Sequence, residues 1–464
     1  MRSPAPARRL DPVRVTRPMR IAGRAGRIAA TSAAAQTFAR VRRDPELAER
    51  WEARTAQQIA QSLGDLRGAV MKLGQMASYV DARIPASIRA SLEVLQADAP
   101  RMAPELSAAV IEAELGRPPA EVFAHWDPSP IAAASIGQVH RALTLDGRAV
   151  AVKVQFPDID RSIAADLGAI RPLLLPLRAF APNLDIAAIA AEVRERVSEE
   201  LDYRREAANQ RAFAEAFAGH PHLTIPAVHD ELSTGRVLVT DLAPGAPLAE
   251  ARTWSAGERD RAGETVYRFV VTSIYELGMV HGDLHPGNLR FDGAGRVTVL
   301  DFGLVRRFSP RTLELLAASV RSCLEGADAA DLVAQLVELG HFPAGCTVDE
   351  ATVSAYFASF YDLIRDDAPR TVAPADTSGL VDACLAARFD PVRREGALPS
   401  ETIFLHRLNL GLHAVLAELG ATANWRRISQ EAWPWDRRPA PGPLGDAHDA
   451  WRSSSDPDHR PTTS

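Results

Sequence analysis

The stretch that decides the fold is His281-Gly282-Asp283-Leu284-His285-Pro286-Gly287-Asn288, followed downstream by Asp301-Phe302-Gly303. Asp283 stands five residues before Asn288 and eighteen before Asp301. Val297-Thr298-Val299-Leu300 reads as a buried strand that ends on the acid Asp301. A carboxylate at a strand end, followed by a glycine turn, can be aimed at Mg2+, which takes hard oxygen ligands and few of them from protein. An Asp-Phe-Gly triplet alone arises by chance. Combined with Asp283 and Asn288 at this spacing, a helix, a polar loop and a hairpin gather two acids and an amide into one cluster. One acid, Asp283, orients a hydroxyl or water; Asn288 and Asp301 hold the metal, which neutralises phosphate charge. The implied cofactors are ATP or ADP and Mg2+.

Working outward, Val150-Ala151-Val152-Lys153-Val154 is a strand carrying a lysine. A strand lysine is usually only solvated, but with the downstream loop Lys153 becomes the expected partner of the α- and β-phosphates, and it needs a carboxylate to hold it. A helical pattern over 184–217 offers several acids. Ile186, Ile189, Val193, Val197 and Leu201 define its buried stripe, and Glu200 falls inside that stripe. A buried carboxylate is costly unless paired, so Glu200 is the expected partner, with Glu206 the fallback if the helix breaks near Asp202. Before the lysine strand, where a kinase carries a glycine-rich loop, stands Ala132-Ala133-Ala134-Ser135. Alanine carries a Cβ, so this backbone cannot wrap phosphates as glycines do. The bland alternative is a small-residue turn. His281 and His285 are spaced as a helical zinc pair, but Gly282 and Pro286 spoil that geometry, and His281 is expected to brace the loop.

These residues resemble the UbiB/AarF family of atypical kinases. Lys72-Leu73-Gly74-Gln75 is similar to its KxGQ motif, Ala132 to Ser135 to its alanine-rich loop, Glu200-Leu201-Asp202 to its ExD helix, and His281 to Asn288 to its HxDxHPGN loop. The similarity covers about 46–435. It implies an α+β, protein-kinase-like bilobal fold, with a β-rich N-lobe, a helical C-lobe and a helical KxGQ extension over the place where a peptide would lie. It implies nucleotide contacts from Ala132, Ala133, Ala134, Ser135, Lys153, the hinge residue Asp241, Lys72 and Gln75. Lys72 and Gln75 lie opposite the apolar stripe Ile59, Leu63, Leu66, Val70 and Leu73, which suits that role; alone, Lys72 reads as an ordinary exposed lysine. The family often carries two C-terminal membrane helices, and none is visible here. Asp241 replaces the usual hinge Glu.

The 464 residues, at 46% hydrophobic and 24% charged, have room for two or three globular modules. We expect a disordered basic arm (1–45), the helical extension (46–125), the N-lobe (126–245), the C-lobe (246–435) and a disordered tail (436–464). A net charge of -6 gives no global field for nucleic acid. Residues 1–43 nevertheless hold eleven arginines against Asp11 alone. Two readings stand for this arm: a loose tail, or a segment that docks on anionic lipid or serves as a transit-like signal. Cys323, Cys346 and Cys384 form no CxxC pair, which favours a reducing compartment, so the expected location is the cytoplasm with peripheral contact to an anionic membrane. No run reaches the ~20 apolar residues of a membrane span, and Phe269 to Val280 reads as a buried helix.

The functional expectation is ATP hydrolysis or phosphorylation of a small molecule or lipid, serving ubiquinone or other isoprenoid-lipid metabolism, with a lipid or quinone precursor as partner. Three alternatives compete. A protein serine/threonine kinase needs an activation segment, yet Ser309-Pro310 opens a helix soon after Gly303, with Ser as N-cap and Pro at the first position. An antibiotic-phosphotransferase-like kinase lacks the KxGQ helix and alanine loop. A dead scaffold would have lost an acid, whereas Lys153, Glu200, Asp283, Asn288 and Asp301 are all present.

Overall fold

A computed structural model describes residues 102–134, 136–157, 201–326, 328–376, 386–397 and 402–455, with Ile159, Gly379 and Pro399 besides. The KxGQ residues Lys72 and Gln75, together with Ser135 and Glu200, lie outside the described residues. In chain order the helices are α1 (Pro104–Leu115), α2 (Pro119–Val122), α3 (Tyr203–Ala216), α4 (Leu248–Ala251), α5 (Ala256–Tyr275), α6 (Pro310–Glu325), α7 (Ala329–Glu338), α8 (Glu350–Ala358), α9 (Asp390–Glu395), α10 (Ile403–Leu419), α11 (Trp425–Gln430) and α12 (Pro443–Ser455). The strands are β1 (Phe123–Ala134), β2 (Gly137–Thr144), β3 (Ala149–Gln155), β4 (Leu223–Thr224), β5 (Val237–Asp241), β6 (Met279–His281), β7 (Leu289–Phe291), β8 (Val297–Val299), β9 (Val305–Arg307), β10 (Arg370–Thr371) and β11 (Thr422–Ala423). This is a kinase-like fold, mixed α and β, as the sequence led us to expect.

Packing divides the chain into two units. One comprises residues up to Arg148 with Val152–Tyr203 and Thr234–Leu238; the other comprises Ala149–Ala151, Arg204–Ser233 and the chain from Val239. The first is strand-rich. Its sheet runs in the order β1-β2-β3-β5, with β1 at the edge. Alternation along β3 buries Val150, Val152 and Val154 completely and turns Ala151 and Lys153 to the other face. The strand pattern was expected from Ile131, but β1 begins at Phe123. Pro128 and Pro130 hide it in the sequence; an edge strand tolerates them because its outer N–H groups need no partner.

The second unit is mostly helical. Its core gathers Phe269, Val280, Leu289, Val299, Phe302 and Leu416 around α5 and α10. Ser255 and Glu258 cap the start of α5 reciprocally. The apolar Phe269 stretch forms the end of α5 and runs on into β6, and it is buried. Arg268 meets Glu431 through two hydrogen bonds of 2.6 and 3.0 Å, pinning α5 to the segment after α11. The tail expected to be disordered instead contains α12. Trp451 and His448 on that helix pack against His220, and Trp451 stacks on Phe217. A helix rich in Ser and Asp is held by two aromatic anchors rather than by propensity. No helix among the described residues is long and apolar enough to cross a membrane.

Candidate functional site

Two strand pairings build the loop cluster. β7 and β8 run antiparallel with Leu289 opposite Val299, so Asn288 and Asp301 emerge at the same end of the hairpin, and Leu300 N donates to Asn288 O at 2.8 Å. β6 and β9 pair with His281 opposite Val305, and Gly282 N donates to Leu304 O at 2.7 Å, which holds Asp283 beside the turn after Gly303. Gly282 permits this approach, since a Cβ there would sit 2.9 Å from the Leu304 side chain. The hairpins thus bring Asp283, Asn288 and Asp301 to one end of the second unit.

Each polar group has a defined bond. Asn288 donates Nδ2 to the Asp283 carbonyl at 2.9 Å, which commits its N–H2 and leaves the amide oxygen as the ligand-side atom. Asp301 is the one non-glycine described residue with positive φ, at 60°. Aspartate tolerates this conformation better than most residues, but it still costs on the order of 1 kcal/mol or more and marks a constrained position. Gly303 N donates to Asp301 Oδ1 at 3.3 Å. A Cβ on Gly303 would lie 3.2 Å from Asp301 Oδ1 and 3.5 Å from Glu206 Oε2, so two carboxylates converge there. The Asn288 amide oxygen and the Asp301 carboxylate are hard oxygen donors.

Phe302 is fully buried and locks the loop to α3. Its ring lies 5.0 Å from Phe213 and meets His281 edge-on at 5.0 Å. Asn209 Nδ2 donates to Phe302 O at 3.1 Å. His281 Nε2 bonds Leu300 O at 3.1 Å, and His285 Nδ1 accepts from Gly287 N at 3.0 Å, so both histidines serve the backbone. Glu206, on α3, is only 6% exposed.

Asp283 has a partner that sequence reasoning missed. Arg407, on α10, donates to its Oδ1, with the two side chains 16% and 23% exposed. Burial pushes the Arg407 guanidinium down to about 9, and the Asp283 carboxylate supplies the compensating charge. One turn on, Gly411 touches the next residue of the loop: a Cβ there would lie 2.5 Å from Leu284 O. Two signals were available. A lone arginine in the apolar run Phe404-Leu405-His406-Arg407-Leu408 needs an acid, and a mid-helix glycine marks a close backbone approach.

In the first unit, Ala132, Ala133 and Ala134 are strand residues opposite Val139, Gln138 and Gly137. The bland reading as a turn therefore gives way to an extended edge, with Ala132 and Ala133 exposed. Gly137 crosses β3 so closely that a Cβ would sit 2.1 Å from Val154 O. The neighbouring Gln138 is buried and anchors α1, donating to Ser107 Oγ at 2.8 Å and accepting from Met102 N at 3.1 Å. Lys153 Nζ lies 5.2 Å from the centre of the Tyr203 ring. Asp241 ends β5 with its Oδ1 2.8 Å from His229 Nε2, and its N–H donates to Ala227 O.

Comparison with known proteins follows this geometry. The family model for the ABC1 atypical kinase-like domain matches residues 94–335, which hold Lys153, Glu206, Asp283, Asn288 and Asp301. The mitochondrial atypical kinase COQ8B of Rattus norvegicus is 30% identical over 391 residues, covering 82% of this chain and 72% of the relative. A Synechocystis sp. protein is 35% identical over 257 residues, covering 54% of this chain; the match spans 38% of that relative's length. Among solved structures, the Rv3197–erythromycin complex from Mycobacterium tuberculosis superposes with a TM-score of 0.62 at 29% identity, covering 85% of this chain and all of that one.

Proposed function

The chain belongs to the ABC1 atypical kinase-like family, and from that premise we propose that it binds ATP with Mg2+ and hydrolyses it or passes the γ-phosphoryl group to a small lipid-linked acceptor in ubiquinone or other isoprenoid-lipid metabolism. The observation that carries this reading is the convergence of the Asp301 and Glu206 carboxylates beside Gly303, with Asn288 and Asp283 on the adjoining loop. Asn288 and Asp301 would hold Mg2+, which when bound supplies charge neutralisation at the phosphates. Lys153 would neutralise the α- and β-phosphates, and Ala132, Ala133, Ala134 and Asp241 are the further residues this reading assigns to the nucleotide.

Asp283 takes the role of orienting the attacking oxygen. The Arg407 guanidinium engages its Oδ1 and fixes the direction of the carboxylate. That suits placing a water or a small hydroxyl better than deprotonating a peptide serine. β9 pairs back onto β6 directly after Gly303, and α6 opens at Pro310 with Ser309 as its cap, so no peptide-binding segment follows the Asp-Phe-Gly turn. The test is ATP turnover by the purified chain beside Asp301→Asn, with and without Mg2+ and anionic liposomes. Turnover should fall roughly 10²-fold or more in the variant; unchanged turnover refutes the metal assignment. Indifference to liposomes counts against a lipid-linked role at an anionic membrane.

A second reading, an antibiotic-binding small-molecule kinase, draws on the erythromycin complex of the Mycobacterium tuberculosis relative. It requires erythromycin to raise the melting temperature of this chain.

A further inference from the structure

A partly open cavity of about 160 Å³ lies in the second unit, and none of Asp283, Asn288 or Asp301 lines it. Its walls come from α5, α6, α10 and the 3-10 turn Ser359–Ile364, with Val270, Ile274, Val320, Leu363, Leu408 and Leu412 among them. No aspartate, glutamate, lysine or arginine is in the lining. Several of the polar groups that line it are engaged with the protein. Ser319 Oγ donates to Leu315 O at 2.8 Å, Ser429 shares a 2.8 Å bond with the Tyr267 hydroxyl, and His413 Nδ1 bonds Asn409 O at 2.9 Å. Burial lowers the pKa of His413, so it stays neutral at pH 7. A mostly apolar space near 150 Å³ is large enough for a benzene-sized guest, the size that the engineered lysozyme cavity accepts. The wall atoms also recover dispersion contacts they otherwise lack.

One wall has a second task. α10 turns Leu405, Leu408 and Leu412 to the cavity. From the same two turns Arg407 grips Asp283, and Gly411 rests on the Leu284 carbonyl. A helix that seats backbone against backbone has no side chain there to absorb a shift. We propose that this cavity is a binding site for one neutral apolar group of about a ring's size, either a free molecule or the end of a longer chain, and that its occupancy sets how firmly α10 holds Asp283. The binding half stands on the cavity alone; its consequence for turnover rests on the function proposed above.

The test uses the full chain with toluene, benzyl alcohol, benzoate and 1-octanol as probes. Ligand-observed NMR reads binding, and hydrogen exchange of the amides 282–288 reads the loop. Ser319→Leu and Leu405→Phe fill the void from different walls. Toluene and benzyl alcohol should bind, benzoate should not, and either filling variant should weaken toluene binding about tenfold. Toluene should alter exchange of the loop amides and ATP turnover by about twofold or more in the unmodified chain and in neither variant. Octanol displacing toluene identifies a chain end as the occupant; failure to displace it identifies a free ring. Equal binding of benzoate, or toluene binding untouched by both variants, overturns the site. Binding without any change in loop exchange overturns the coupling. Altered exchange in a chain that never turns over ATP upholds the site and refutes the proposed activity instead.

Discussion

Replacing Gly411 with alanine pits two effects against each other at one atom. In an exposed helix the change stabilises by about 1 kcal/mol through propensity. Here the new Cβ would stand 2.5 Å from Leu284 O, about 0.9 Å inside an ordinary contact, and the atom it meets is backbone. Overpacking of this kind costs about 1–3 kcal/mol, so the net destabilisation is about 0–2 kcal/mol. At about 2–4 °C per kcal/mol for a unit of this size, the melting temperature should drop by no more than about 8 °C. Activity should suffer far more. The displaced carbonyl adjoins Asp283, and a shift near 1 Å at a positioning group costs about 10²-fold. ATP turnover and calorimetry on Gly411→Ala therefore separate the two readings. Gly257→Ala is the control, since the nearest atom to its Cβ is Arg261 Nη1 at 3.6 Å. A Gly411→Ala protein that is more stable than its parent and equally active would refute the claim that α10 seats the loop.

Two further outcomes are expected. A double-mutant cycle should test the convergence at Gly303: Glu206 is buried and its carboxylate approaches the same point as that of Asp301, so Glu206→Gln and Asp301→Asn should couple by about 1 kcal/mol or more in nucleotide affinity, and additive effects would refute it. Burial lowers His220 to about 3 and His448 to about 2, so between pH 6.5 and these values the unfolded chain binds protons the folded chain refuses, and stability falls as pH falls. From pH 7 to 5.5 each histidine should cost about 1.3 kcal/mol in urea denaturation, and His448→Phe should remove about half of the pair's effect; an equal pH slope in parent and variant would refute it.

Much of this was legible in the sequence because period and punctuation were strong. Val150, Val152 and Val154 alternate with Lys153 as a half-buried strand must, and Ser309-Pro310 announces α6 through its cap chemistry. The spacing of Asp283, Asn288 and Asp301 implied a shared loop end, which the β6–β9 and β7–β8 pairings supply. Long-range features were not legible. Arg407 and Asp283 are 124 residues apart, and no local pattern joins them. α12 escaped because Leu444, His448 and Trp451 make only a narrow stripe in a polar run, and the packing of His448 and Trp451 on His220 and Phe217 explains why it folds. β1 escaped because its prolines read as turn residues until the strand is known to lie at the sheet edge. Glu200, the acid expected to hold Lys153, lies outside the described residues, and the described helix starts at Tyr203 and buries Glu206, the acid kept as the fallback.

The immediate return of β9 onto β6 has a consequence for how this protein can be controlled. Ordinary kinases are armed by an enzyme upstream that writes a phosphate on a long loop, and disarmed by another that erases it. Here three strand residues and a capped helix occupy that stretch, so it holds no long loop for a phosphate to order. Under the proposed activity, control written on an activation loop gives way to control by supply: how many copies are made, where they gather, and what small molecules reach them.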